Sequence, residues 1–126
     1  MVKLLKVTTF ALLAVVAFGL SPVQAADIVL HGKFRGRSDH ITQGSVEIVK
    51  DSSGGYMLIL GDNFVLDRAP DPVLAFGKNV IDKSTIFSPL MKKRGKQEYN
   101  IPSSIDPSQY SKVFVWCEKY SVPLGV

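Results

Sequence analysis

From residue 26 onward, apolar residues in this chain come in short runs, and turn-forming residues interrupt them every eight to twelve positions or so. That spacing leaves no stretch long enough for a helix with a continuous apolar stripe, which needs an apolar residue every three to four positions over ten or more. Short strands joined by tight turns can bury such runs only by pairing and packing face to face. The pattern therefore predicts an all-β fold, an antiparallel β-sandwich of about seven to eight short strands.

The strand candidates can be placed individually. Ile28 to Phe34 is the first, and Ser45-Val46-Glu47-Ile48-Val49-Lys50 the second, with Val46 and Ile48 alternating against Glu47. Asp51-Ser52-Ser53-Gly54-Gly55 supplies hairpin chemistry, because its glycines take positive φ at no steric cost, so the chain should return into Tyr56-Met57-Leu58-Ile59-Leu60. Further candidates are Phe64 to Leu66, Val73 to Phe76, Glu98 to Ile101, Lys112 to Cys117 and Val122 to Val126. No internal repeat or low-complexity segment is present.

Residues 79–96 break this rhythm. They read as a long loop that could carry one short helix, from Ser84 to Leu90, and they end in Lys92-Lys93-Arg94-Gly95-Lys96. Charge runs are most often solvated turns that keep strand edges apart, and the competing use is contact with an anionic cell-envelope polymer or lipid.

Residues 1–25 are expected to be a cleavable export signal. Lys3 and Lys6 form a positive start, Val7 to Leu20 is almost unbroken apolar sequence, and Val23-Gln24-Ala25 places small residues where a signal peptidase reads. The apolar stretch falls short of the ~20 residues of a membrane-spanning helix, and no cysteine stands at the cleavage point, so neither a transmembrane nor a lipid anchor is expected. One domain, residues 26–126, should remain, exported to the periplasm or the extracellular space. The chain holds 15 basic and 11 acidic side chains; loss of Lys3 and Lys6 leaves 13 against 11, a formal +2. A balance so small, without phosphate-cradling glycine loops or aromatic RNA motifs, argues against nucleic acid as a partner.

Cys117 is the only cysteine, so no intramolecular disulfide can form. An unpaired thiol in an exported domain suggests a free reactive group, a ligand, or a bridge between two copies of the chain. Its rival role is core filler. Alternation places Cys117 on one face with Val113 and Val115, and Phe114 with Trp116 on the other. Ahead of that strand, Pro107 presets a turn and Tyr110 is placed to staple the strand start through a hydroxyl bond to upstream backbone.

Several of these segments occur in an order and spacing that resembles the DM-thirteen domain. They are Gly32-Lys33-Phe34, His40, Gly44-Ser45-Val46-Glu47-Ile48, Asn63-Phe64, Ala69-Pro70-Asp71-Pro72, Tyr99-Asn100-Ile101-Pro102 and Ile105-Asp106 through Tyr110 to Val113-Phe114-Val115-Trp116-Cys117. The resemblance covers essentially all of residues 26–126. It implies a β-rich extracytoplasmic module proposed to act in electron transfer or redox chemistry, with a single cysteine, here Cys117, as the redox centre. Residues 79–96 have no counterpart in the shorter animal forms.

Cofactor chemistry would have to use what the chain offers. His31, His40, Cys117 and Met57 or Met91 supply the inventory of a blue-copper site, but no histidine or methionine follows Cys117, so the spacing argues against one. A looser pairing of His40 with Cys117 around copper or haem is favoured over it. Covalent c-type haem is excluded for want of a second cysteine. The plain reading of His40, in Ser38-Asp39-His40, is a surface residue bonded to Asp39. Asp62, Asp67 and Asp71 match no calcium loop, and no nucleophile–base or metalloprotease motif supports hydrolysis. Two functions remain: a redox or electron-transfer module centred on Cys117, with an unidentified redox partner, or a non-enzymatic module binding a cell-envelope component, with Cys117 structural.

Overall fold

The computed structural model describes residues 27–126; the expected export signal lies outside them. In chain order the strands are β1 (Asp27–Lys33), β2 (Thr42–Gln43), β3 (Ser45–Lys50), β4 (Tyr56–Leu60), β5 (Val65–Leu66) and β6 (Pro72–Gly77). They continue with β7 (Ile81–Asp82), β8 (Ser88–Pro89), β9 (Gln97–Ile101), β10 (Lys112–Cys117) and β11 (Val122–Gly125). One sheet runs β1-β3-β4-β9 and the other β11-β10-β6-β7, with β8 also on β6; β2 and β5 form a small third pair. All named pairings are antiparallel. The all-β sandwich is therefore present, with eleven strands instead of seven to eight because the two-residue strands β2, β7 and β8 add to the expected set.

Register explains the core. Val46 stands opposite Leu60 and Ile48 opposite Leu58, and Leu58 in turn faces Tyr99, so these side chains share the inner face of the first sheet. From the second sheet Leu74 opposes Val115 and Phe76 opposes Val113. Phe34, Phe64, Leu66 and Leu124 fill the space between. The other face of β6 and β10 is covered too. Val73, Ala75, Phe114 and Trp116 are all buried there, with the Lys83 ammonium 5.6 Å from the Trp116 ring centre. Strands buried on both faces read as continuous apolar runs, which is why Lys112 to Cys117 lacks polar alternation.

The hairpin between β3 and β4 forms as its composition predicts. The Asp51 carboxylate accepts from the Ser53 and Gly55 amides, both at 2.9 Å, and Gly54 takes φ +87°. Asp82 with Ser84 and Asp106 with Ser108 repeat the Asp-x-Ser contact and cap the single 3₁₀ turns Lys83–Thr85 and Pro107–Gln109.

Residues 79–96 differ from expectation. The helix expected over Ser84–Leu90 is replaced by the three-residue 3₁₀ turn at Lys83–Thr85, flanked by β7 and β8, which lie along the edge of β6. Thr85 explains the interruption. Its buried hydroxyl accepts from the Phe76 amide at 2.8 Å and donates to the Phe76 carbonyl at 2.9 Å, bonding the β6 backbone at the break between its pairings with β7 and β8. Beyond β1 the chain crosses to the second sheet, where Arg35 and Val126 exchange two backbone bonds beside β11. That crossing closes one side of the sandwich.

Candidate functional site

Cys117 ends β10, between Pro72 of β6 and Val122 of β11. It shares the inner face with Val115 and is 0% exposed. Its thiol donates to the Pro70 carbonyl at 3.2 Å, the one hydrogen bond Sγ makes among the described residues. The environment is apolar core closed by one carbonyl.

His40 lies elsewhere and has a different neighbour from the one expected. Asp39 adopts φ +60° in a left-handed turn, and the partner of His40 is Asp67, with Nδ1 to Oδ1 at 2.8 Å. Asp67 also accepts from the Ile41 amide through its second oxygen at 2.9 Å, and its own amide donates to the Ile41 carbonyl at 3.0 Å. Burial pushes the Asp67 carboxyl up, but the Ile41 amide and the His40 ring together outweigh it, so the group sits below its ordinary value. An ionised carboxylate only accepts, so His40 donates through Nδ1, and Nε2 is the ring nitrogen turned away from the carboxylate. The ring borders a shallow hollow shared with Phe34, Arg35 and Ile41. A carboxylate bonded to the far ring nitrogen is the arrangement that orients metal-ligating histidines.

The two candidate residues do not touch, yet one short segment holds both. Asp67 binds His40 and Pro70 binds Cys117, while the Asp71 carbonyl accepts from the Glu118 amide at 3.2 Å. Asp71 takes φ +47°, a left-handed conformation uncommon for a residue with a side chain.

Fit to a cofactor can be judged from these positions. His31 stands opposite Glu47, on the face of the first sheet away from Val46 and Ile48; Met57 opposes Val49; Met91 is exposed. The His₂Cys-methionine set is thus not gathered, and no group of three potential metal-binding side chains occurs among the described residues. His40 alone offers an oriented nitrogen that could serve as a single ligand to copper or haem iron. Cys117 could join it only if the 67–71 segment moved.

Tyr110 does staple the start of β10, but to a side chain and not to backbone. Its hydroxyl donates to the Asp82 carboxylate at 3.2 Å and its ring packs 5.8 Å from Phe76. A second network was not foreseen. Gln97, buried, accepts from the Lys92 amide at 3.0 Å and donates to the Lys92 carbonyl at 2.8 Å; Tyr99 accepts from the Met91 amide. These inward side chains of β9 fix the backbone beneath Lys92, Lys93 and Arg94, which are exposed. The basic turn is therefore a built element. A glutamine at an inward position of an alternating strand was the available signal.

An antiparallel β-sandwich with a buried single thiol and a carboxylate-held histidine defines the class. Within it, residues 33–126 match the family described as Electron transfer DM13, and the chain belongs to that family. No curated protein and no solved structure matches the chain. Among the described residues no helix is long and apolar enough to cross a membrane.

Proposed function

We propose that this chain is an electron-transfer module that works outside the cytoplasm, with His40 and Cys117 as the residues that carry its redox chemistry. Family membership carries the electron-transfer reading, and the export-signal pattern of residues 1–25 supports the location. The His40–Asp67 pair supports a role for His40, since it holds the ring through Nδ1 at the edge of an open hollow and leaves Nε2 uncommitted to Asp67. A bound haem or copper centre would supply the one-electron couple. The chain's own part is to orient the ligand nitrogen through Asp67 and to hold the Cys117 thiol in a dry site behind Pro70, from which movement of residues 67–71 would release it.

The test is an absorption spectrum and redox titration of the protein purified from its native compartment. Visible bands that shift on reduction, and that disappear in His40→Ala while the fold is kept, are expected. A colourless protein with no reducible group, in wild type and variants alike, would refute the reading.

Complete burial of Cys117 favours a second reading, a binding module in which the thiol is structural. The exposed Lys92, Lys93 and Arg94, on a turn fixed by Gln97, would then meet an anionic envelope component. Reversing those three charges should abolish salt-sensitive envelope association; association that is unchanged excludes that surface.

A further inference from the structure

The two sheets part between β1 and the start of β10, leaving a cavity of about 350 Å³. Its apolar wall comes from Leu30, Val46, Ile48, Phe76 and Val113, all inward positions of their strands. Leu30 shows that the gap is open. It stands opposite Ile48 on the inner face, yet Leu30 is 42% exposed while Ile48 is 3% exposed. Four lysines and arginines border the same cavity, Lys33, Arg35, Arg37 and Lys112; Lys33, like His31, stands at an outward position of β1, so Arg35, Arg37 and Lys112 flank the mouth. No aspartate or glutamate does, and none of the four makes an ion pair among the described residues. The Val126 carbonyl at the rim is already engaged by the Arg35 amide.

An apolar recess whose charged side chains are all basic favours a ligand with an apolar body and an anionic head. We propose that this cavity binds a single-chain aliphatic carboxylate, the chain lying against Leu30, Ile48, Phe76 and Val113 and the head among Arg35, Arg37 and Lys112. Size sets the chain length. At the roughly 30 Å³ that one water-sized group occupies, the space admits on the order of ten to twelve methylene units. The site is separate from His40 and from Cys117, neither of which lines it, so it stands or falls independently of the electron-transfer reading.

Gly32 provides a selective block. It sits on the inner face of β1 opposite Val46, takes no positive φ, and the nearest atom to an added Cβ is the Val46 side chain at 4.0 Å. Gly32→Leu should therefore fill the cavity without backbone strain and fold normally, since a side chain suits a strand better than glycine.

The experiment is calorimetric titration of the purified protein with decanoate, decylamine and decanol below their aggregation concentrations. Decanoate should bind saturably and about tenfold or more tighter than decylamine, with a preference that shrinks as salt is raised. Arg35→Gln with Lys112→Gln should narrow that preference roughly fivefold or more while sparing decanol. Gly32→Leu, checked by an unchanged melting temperature, should lose binding of decanoate and decanol together. Equal affinity for decanoate and decylamine, no saturable decanoate binding, or wild-type binding by folded Gly32→Leu would each overturn the proposal. Amide shifts on decanoate addition should fall at Leu30, Ile48 and Val113; shifts confined to Lys92 to Lys96 would also overturn it.

Discussion

Cys117 should react with a maleimide only through transient opening of residues 67–71, and the structure sets how slow that is. Opening breaks five hydrogen bonds: the three joining Asp67 to His40 and Ile41, the thiol bond to Pro70, and the Glu118–Asp71 bond. At about 1 kcal/mol net for each, with about 0.8 kcal/mol for the buried Ala69 methyl, the cost is about 6 kcal/mol. Each 1.4 kcal/mol is tenfold, so the open fraction is on the order of 10⁻⁴. Labelling should run slower than that of an unstructured cysteine peptide by about that factor, with little dependence on low denaturant because a local opening exposes little surface. Asp67→Asn keeps the shape but removes the charge from a pair that is one-quarter to one-third exposed. Discounted for solvent, that is about 1 kcal/mol, or roughly fivefold faster labelling. Stopped labelling with mass detection measures both rates. A rate within tenfold of the peptide would refute the burial argument. A denaturant slope equal to that of global unfolding would refute the separate movement of the segment.

Four further outcomes are expected. Thr85→Val leaves the buried Phe76 amide without its acceptor, at a cost of about 1–3 kcal/mol; melting temperature should fall about 4–8 °C per kcal/mol, and an unchanged value would contradict the role given to the hydroxyl. Gly44→Ala places a Cβ 2.6 Å from the Phe64 Cα at φ +108°, whereas Gly54→Ala at φ +87° meets open space; the first should destabilise far more than the second, which should cost about 1–2 kcal/mol, and equal losses in denaturant melts would count against the close approach. Because the Asp67 carboxyl is depressed in the fold, its contribution is fully present above the ordinary aspartate value of about 3.9 and is lost as pH falls through the folded value; acid unfolding of Asp67→Asn should show a shallower fall, and an identical profile would remove Asp67 from the account. Non-reducing electrophoresis of native protein should show unbridged chains, since folded Cys117 offers no exposed sulfur; a bridged pair would overturn that.

What the sequence made legible was whatever its chemistry decides locally. Lys112 to Cys117 is β10 to the residue, and the β3–β4 hairpin follows from Asp51 through Gly55, because strand propensity and turn residues act over a few positions. The two-residue strands β2, β7 and β8 have no such signal; their partners define them. The same limit governs the side chains that bear on function. Alternation grouped Cys117 with Val113 and Val115 but could not say which face is the core, since both faces of β10 are covered; register against Pro72 and Leu74 decides it. His40 shows the point most sharply. Asp39 is its neighbour in sequence, but pairing of Thr42 with Leu66 brings Ile41 beside Asp67 and delivers that carboxylate to the ring from 27 residues away. Tyr110 repeats it with Asp82, 28 residues upstream. The hydrogen bond that holds His40, and with it the orientation of the ring, is thus a consequence of strand register, so a change that shifts β2 against β5 should alter the histidine's chemistry without touching the histidine.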